Sequence, residues 1–370
     1  MKTDLDKTAL GVLMVLAFAL FLTISLGSQA GIRISVNLPE QIAPFQKITL
    51  TFSEPVNAQM AEALLDIQPA VEGQIEWLDF RSLAFSPSRP FELDVEYKLS
   101  LRPGVLTEDG AELKRKRSWR MKVREPLIAY LKTGEGESAV WTMDLNGEPA
   151  QRLTPEGVKV ISFDASRGGE FIIFAAANEK TGIDLWRVSR SGTDAALLLD
   201  CGFDRCSMPA VSPNGLRIAY SREAAGPGPD LPYGSPRVWV LDLQSGDNRP
   251  VYADPQILGY SPAWSPDSQK LASYDGLADQ IRMFDFTTSR QFIFSSNTGG
   301  PVAWSPDSAK FMFTDIQQGE NGLRTRLRLA DLSLNDATTL LGENDEIDYS
   351  YYSLAWSPVE NRVVLGFRSY

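Results

Sequence analysis

The spacing of hydrophobic and polar positions changes along this 370-residue chain. Residues 8–27 form one uncharged apolar run, which is about the length that crosses a bilayer as a helix. From Ile32 onward apolar and polar residues alternate, as in Ile48-Thr49-Leu50-Thr51-Phe52, and this period of two predicts strands that are half-buried in a sheet. Similar segments, separated by turn-forming residues, continue to the end of the chain. The pattern therefore predicts an all-β protein with an N-terminal transmembrane helix.

The apolar run within residues 1–30 has two interpretations. Lys2 and Lys7 precede it together with two aspartates, so the bias towards positive charge is weak but favours an N-terminus inside the cell. A signal peptide would have a shorter apolar core, and Ser28-Gln29-Ala30 is an acceptable cleavage site. The length favours an uncleaved anchor, with the membrane as a partner through residues 8–27. We therefore expect a single-pass protein of the cell membrane with its body on the extracytoplasmic side, or a secreted or periplasmic protein after cleavage.

Residues 31–124 are predicted to form a β-sandwich. Short strands are expected at Ile32–Val36, Ile48–Phe52, Gly73–Trp77, Ser82–Phe85, Glu96–Leu101 and Trp119–Val123. Turn formers such as Glu108-Asp109-Gly110 separate them. Several short strands with regular turns in about 90 residues are typical of a sandwich.

This segment also resembles a known family. The matching residues are Thr51–Val56, Ile67–Pro69, Val71–Gly73, Leu83–Pro87, Tyr97–Leu101 and Asp109-Gly110. Through them it resembles the bacterial Ig-like domains of the S-layer type. The resemblance implies a stalk or spacer.

An internal repeat organises residues 125–370. The stretch Ala263–Ala272 recurs as Ala303–Met312, with looser copies at Ala210–Ala219 and Ala355–Val364 and a decayed copy at Ser162–Ser166. The spacing of about 40–53 residues is in the range of propeller blades. The motif residues are Ser212, Pro213, Trp264, Ser265, Pro266, Asp267, Trp304, Ser305, Pro306, Asp307, Trp356, Ser357 and Pro358.

Each motif is predicted to be a tight turn between two antiparallel strands. Proline fixes φ at the second turn position, and Asp or Asn suits the next one. The apolar residue before the serine is expected to pack between neighbouring sheets, where a large aromatic side chain fills the gap. A second repeated element, predicted to be the third strand of each sheet, has its copies at Trp141–Leu145, Trp186–Arg190, Trp239–Leu243, Arg282–Phe286 and Arg328–Leu332.

Taken together, these copies resemble the WD40-like (PD40) repeats of TolB-type propellers. The resemblance implies a β-propeller of about six blades, the last one incomplete. Either the first and last segments close one blade together, or the sequence is truncated at its C-terminus; the tendency of propellers to limit exposed edges favours truncation. Ser268 and Ser308 stand where these repeats usually have glycine, which weakens one turn preference.

The composition of the chain excludes several kinds of partner and catalytic site. The net charge of −11 argues against a nucleic-acid partner. The chain has no histidine, which excludes His-activated nucleophiles and His-ligated metals. Cys201 and Cys206 could close a small disulfide in an oxidising compartment or remain two thiols. No nucleotide-binding or serine-hydrolase motif occurs, so no cofactor, metal site or catalytic residue is assigned.

The sequence thus favours a non-enzymatic propeller that binds an unidentified protein or envelope ligand, with the Ig-like segment as spacer. One alternative is an extracytoplasmic glycan hydrolase or lyase, which needs two carboxylates converging in the central channel. Another is a structural or sensory envelope protein. The acidic stretch Glu343–Asp348 could bind a hard cation or be a solvated turn, and the Pro/Gly-rich loop Ala224–Ser235 could bind a ligand or simply be flexible.

Overall fold

The computed structural model describes residues 13–17, 31–134, 136–148, 151–228, 231–300, 302–319, 322–341, 349–357 and 361–369. Within these ranges no helix has the length and apolar character needed to cross a membrane. The anchor predicted for residues 8–27 lies outside the described residues, except for the helical residues 13–17. The chain divides into two compact units, Met1–Glu125 and Pro126–Tyr370.

Residues 31–125 of the first unit contain ten strands and one short helix. These are β1 (Ile34–Asn37), β2 (Gln41–Ile42), β3 (Ile48–Phe52), α1 (Ala58–Leu64), β4 (Leu65–Gln68), β5 (Gly73–Trp77), β6 (Ser82–Pro87), β7 (Glu96–Leu101), β8 (Gly104–Val105), β9 (Glu112–Leu113) and β10 (Arg117–Val123). The predicted strands Gly73–Trp77 and Glu96–Leu101 have these bounds in the structure.

Two four-stranded sheets enclose the core of this unit. Their orders are β1-β3-β6-β5 and β2-β10-β7-β4, and β8 and β9 form a separate hairpin. The inward residues of β3, such as Leu50 and Phe52, join one buried cluster with Leu99 of β7 and Met121 of β10. Alternation along each strand thus supplies one apolar face per sheet, and the two faces pack together.

In the described residues of the second unit, every regular secondary-structure element is a strand. They are β11 (Ile128–Gly134), β12 (Glu137–Met143), β13 (Gln151–Arg152), β14 (Val160–Ala165), β15 (Phe171–Ala177), β16 (Ile183–Ser189), β17 (Ala196–Leu199), β18 (Arg205–Val211), β19 (Arg217–Glu223), β20 (Arg237–Asp242), β21 (Asn248–Pro250), β22 (Tyr260–Trp264), β23 (Lys270–Asp275), β24 (Gln280–Asp285), β25 (Gln291–Ser295), β26 (Ala303–Trp304), β27 (Lys310–Gly319), β28 (Gly322–Asp331), β29 (Asp336–Leu341), β30 (Tyr349–Trp356) and β31 (Val363–Ser369).

These strands form antiparallel meanders in chain order. Strands β22–β25 and β26–β29 are four-stranded sheets, β11–β13 has three strands, and β30 pairs with β31. Strands β14–β17 and β18–β21 are two further meanders, and a single parallel pairing of Ile183 with Arg205 joins them. The described residues therefore hold four four-stranded meanders between a three-stranded and a two-stranded sheet.

Apolar clusters join neighbouring sheets from β11–β13 to β26–β29. Trp264 and Leu271 pack with Val238 and Val240 of the preceding sheet. One sheet further on, Trp304 belongs to a cluster that contains residues of both β22–β25 and β26–β29. The prediction that the aromatic residue of each motif packs between sheets is confirmed at both positions. This side-by-side stacking places the motif turns of successive sheets next to one another.

Candidate binding site

The motif turns at Ser212, Ser265 and Ser305 are closed by the serine and by the acidic or amide residue two positions on. The Ser305 hydroxyl accepts the backbone N–H of Lys310 at 2.9 Å and donates to Asp307 at 2.6 Å. Asp307 in turn accepts the N–H of Ala309 at 3.0 Å. The hydroxyl of Ser305 lowers the pKa of the Asp307 carboxyl, so this group stays an acceptor at neutral pH. The predicted turns between β22 and β23 and between β26 and β27 are confirmed.

The copies at Ser265 and Ser212 use the same contacts. Ser265 accepts the N–H of Lys270 at 2.9 Å, and Ser212 accepts that of Arg217 at 2.9 Å. The last copy keeps a backbone bond from Ser357 to the carbonyl of Arg362 at 2.8 Å. Pro358 lies outside the described residues.

Hydrogen bonds also connect consecutive turns. The hydroxyl of Ser268 accepts the backbone N–H of Asn214 at 3.0 Å, and that of Ser308 accepts the N–H of Asp267 at 3.0 Å. Both serines are almost fully buried and have φ of 61° and 59°, in the left-handed region that favours glycine. Gly215, at the corresponding position of an earlier turn, has φ of 72°. The departure from glycine therefore supplies a hydroxyl that holds the preceding turn.

The tryptophans of the motif bind the preceding sheet as well. The indole N–H of Trp264 donates to the carbonyl of Ala210 at 3.1 Å, and that of Trp304 donates to Ala263 at 3.1 Å. Both rings are buried, with 8% of their surface exposed. These two tryptophans thus join sheets and offer little surface to a ligand.

The decayed copy breaks this pattern. Ala165 occupies the position of the tryptophan, and Arg167 that of the proline. Ala165 is exposed where Trp264 is buried. Asp164 accepts the N–H of Val211 at 2.7 Å. Desolvation raises the pKa of the Asp164 carboxyl and lowers that of the Arg167 guanidinium.

The turns surround a cavity of about 390 Å³. Five successive strand pairs contribute to its lining, which comprises Asp164, Ala165, Arg167, Val211, Pro213, Ala263, Trp264, Pro266, Val302, Ala303, Trp304, Pro306, Leu354, Ala355 and Trp356. In this lining the charged side chains are Asp164 and Arg167, and all other members are apolar. The cavity thus has an apolar wall from the regular repeats and a charged sector from the decayed one.

The remaining predicted residues lie elsewhere or outside the described ranges. Cys201 and Cys206 are paired, with their sulfur atoms 2.02 Å apart. The acidic stretch Glu343–Asp348 lies outside the described residues. Over the ranges that the structure covers, no cluster of three or more potential metal ligands is found.

The motif turns were predicted from the repeat, but the charged sector at Asp164 and Arg167 was not. Aligning Ala165 and Arg167 with the regular copies would have shown that this copy exchanges an aromatic and a proline for a small and a charged residue.

The chain matches no family model, and no curated protein matches it. Solved structures that are similar to it have low sequence identity and TM-scores below 0.5. TolB from Acinetobacter baumannii is 13% identical with a TM-score of 0.44, covering 87% of this chain and 82% of its own. A putative TolB from Agrobacterium tumefaciens is 16% identical with a TM-score of 0.43, covering 61% and 84%. A puromycin hydrolase mutant complexed with PGG is 15% identical with a TM-score of 0.48, covering 75% and 50%.

Proposed function

We propose that this chain is a membrane-tethered binding platform whose propeller-like unit takes a protein or envelope ligand at the cavity lined by its motif turns. The observation that carries the proposal is the break in the repeat. Where regular copies fill the space with tryptophan, the decayed copy has the exposed Ala165 beside Asp164 and Arg167. A concave, mainly apolar surface with a few fixed polar groups is the usual form of a ligand site.

The charged sector suits a ligand with its own polar or charged group. Asp164 is held by the backbone of the neighbouring sheet, so its carboxylate does not need to be ordered when a ligand arrives. Apolar contacts with the prolines and the aliphatic residues of the lining would supply most of the buried area, and Asp164 and Arg167 would set the orientation.

The apolar N-terminal run and the two-sheet unit complete the proposal. The apolar run would hold the protein at the membrane, with the rest of the chain on the extracytoplasmic side. The two-sheet unit would act as an Ig-like spacer. Alkaline extraction of membranes that contain the full chain separates an anchor, which stays with the lipid, from a cleaved signal, which releases the protein.

The binding proposal is tested by site-specific photocrosslinking in the native host. A photoreactive amino acid replaces Ala355, an exposed residue of the cavity lining, in the full chain. We expect discrete adducts that disappear when Ala165→Trp restores the missing aromatic and fills the cavity. The control Leu277→Trp, at a side chain that is 67% exposed and outside the cavity lining, should leave the adducts unchanged. Adducts that persist in Ala165→Trp would refute the proposal.

A further inference from the structure

The chain enters the first unit beside a run of four basic residues, Lys114–Arg117. This basic segment leads from β9 into β10, and all four residues are exposed. The backbone N–H of Ile32 donates to the carbonyl of Glu112 at 3.4 Å. A Cβ atom at Gly31 would lie 3.7 Å from the Cγ of Lys114. The first described residues after the apolar run are therefore in contact with the start of the basic segment.

Most of the charge in this segment is available to a partner. In the part of the unit that the structure describes, Arg115, Lys116 and Arg117 form no ion pair. Further along β10, in contrast, Lys122 pairs with Asp94 at 3.3 Å. A cluster of exposed like charges attracts a surface of the opposite charge.

An apolar hairpin tip lies at the same end of the unit. The turn between β5 and β6 leaves 83% of Phe80 and 51% of Leu78 exposed. Ser82, just after this turn, pairs with Thr51, and Thr51 pairs in turn with Ser35 near the start of β1. The tip is therefore at the end of the sheet where the chain enters.

The loop between β3 and α1 connects the tip to the hairpin that carries the basic segment. The backbone N–H of Val56 donates to the carbonyl of Phe80 at 3.0 Å. That of the next residue, Asn57, donates at 2.8 Å to the carbonyl of Leu106, which lies between β8 and β9. The apolar tip, the chain entrance and the basic segment thus share one end of the unit. The proximal patch, as we call this surface, comprises Leu78, Phe80 and Lys114–Arg117.

The apolar run ends close to this patch in sequence. Gly27 is its last residue, four positions before Gly31. Four residues span at most about 14 Å when fully extended. A layer of lipid headgroups takes up about 6 Å of that length. In the membrane-tethered state proposed above, Gly31 therefore lies within about 8 Å of the headgroups, which is about one Debye length at physiological salt.

We infer that the proximal patch binds anionic phospholipid headgroups, with its basic side chains at the phosphates and Phe80 and Leu78 at the boundary with the acyl chains. The inference rests on the membrane tether of the proposed function. Basic segments next to a membrane anchor are attracted to anionic lipid, and apolar side chains such as Phe and Leu enter the boundary layer. A soluble polyanion would use the basic segment alone, whereas a membrane surface uses both parts of the patch. Because Glu54, Asp79 and Glu112 also lie at this end, the attraction is local to the basic segment and sensitive to salt.

Quenching of a fluorophore by lipid, with the full chain in nanodiscs, tests the inference. A dansyl amino acid replaces Phe80, and a lipid with a nitroxide on its headgroup is the quencher. At about 0.15 M salt, we expect at least about twofold more quenching in phosphatidylcholine discs with about 30% phosphatidylglycerol than in phosphatidylcholine alone. This excess should disappear at about 1 M salt, where the Debye length is about 3 Å.

Two variants with the same change in net charge locate the effect. The first combines Lys114→Gln, Arg115→Gln, Lys116→Gln and Arg117→Gln, and it should lose the excess quenching. The matched control changes four basic residues of exposed ion pairs elsewhere in the unit, and it should keep the excess. Its substitutions are Lys47→Gln, Arg89→Gln, Arg120→Gln and Lys122→Gln.

The remaining outcomes overturn the inference. Equal quenching in the two lipids does so, as does an equal loss in both charge variants. Emission that responds to soluble polyphosphate but not to phosphatidylglycerol would assign the basic segment to a polyanion instead. A chain that does not co-elute with the discs argues against the membrane tether itself, and the inference falls with it. A chain that co-elutes without the excess quenching overturns this inference alone.

Discussion

Replacing Ser308 by alanine should weaken the second unit by about 2 kcal/mol, because a buried N–H that loses its acceptor costs about 1–3 kcal/mol. The Ser308 hydroxyl accepts the N–H of Asp267 at 3.0 Å, and the side chain is 2% exposed. Alanine keeps the left-handed backbone and removes only the acceptor. Ser308→Gly also removes it, but glycine relieves a left-handed strain of about 1 kcal/mol. The glycine variant should therefore lie about midway between the parent and the alanine variant.

Gly215 provides the matched control for the backbone contribution. It has φ of 72°, and a Cβ atom there would meet nothing within 4 Å. Gly215→Ala should thus cost only the left-handed strain, about 1 kcal/mol.

Urea unfolding of the full chain, followed by tryptophan fluorescence, measures these differences, since Trp264 and Trp304 lie beside the turns. A Ser308→Ala variant that unfolds at the urea midpoint of the parent chain would refute the contribution of the contact between turns. A Ser308→Gly variant less stable than Ser308→Ala would refute the strain assigned to the left-handed backbone.

Two further predictions concern carboxylates of the same unit. The Oδ2 atom of Asp275, whose side chain is 2% exposed, lies 2.7 Å from the Nε of Arg282. Asp275→Asn leaves this nearly buried guanidinium without its counter-charge. The free energy of unfolding, measured in urea, should therefore fall by about 3 kcal/mol. A hydrogen bond from Ser333, followed by that from Lys310, lowers the pKa of Asp331 to about 2. This pKa is below the unfolded value of about 3.9, so the stabilisation is complete above about pH 4 and is lost as pH falls towards 2. Asp331→Asn should therefore differ from the parent chain in urea midpoint at pH 6 and converge with it near pH 2.

An exposed ion pair of the same chain serves as the control for Asp275→Asn. Asp247 and Arg249 form a pair at 3.4 Å whose side chains are 54% and 74% exposed, so Asp247→Asn should change stability by less than about 1 kcal/mol. Equal losses for Asp275→Asn and Asp247→Asn would contradict the role of burial. A constant difference between Asp331→Asn and the parent chain at all pH values would show that the carboxylate does not titrate as stated.

The strands with strict alternation were predictable because their pattern is local. Glu96–Leu101 alternates and lies between turn formers, and its bounds were predicted as observed. The helix Ala58–Leu64 and the strand Leu65–Gln68 were not predicted. The helix spans only seven residues, too few for a periodic pattern, and its one signal is the N-cap Asn57, which accepts the N–H of Met60 at 3.2 Å.

The site was predictable only in part for a different reason. The repeat spacing brings the motif turns together, which the sequence indicated. The serine hydroxyls, in contrast, act on backbone groups of the preceding turn: Ser308 binds Asp267, 41 positions away. The hydrogen bond from the Tyr233 hydroxyl to the carbonyl of Thr181 likewise joins two loops 52 positions apart, and no local pattern encodes it.

The hydrogen bonds between consecutive turns also have a consequence for how such a chain could lengthen in evolution. Trp304 and Ser308 contact the sheet before them, and that sheet carries Trp264 and Ser268 to do the same. A duplicated segment running from residue 265 to 304 would contain both partners of the contact between sheets, because it includes its own tryptophan and is followed by a turn of the same form. Gene duplication in this register could add a sheet without any new interface having to evolve.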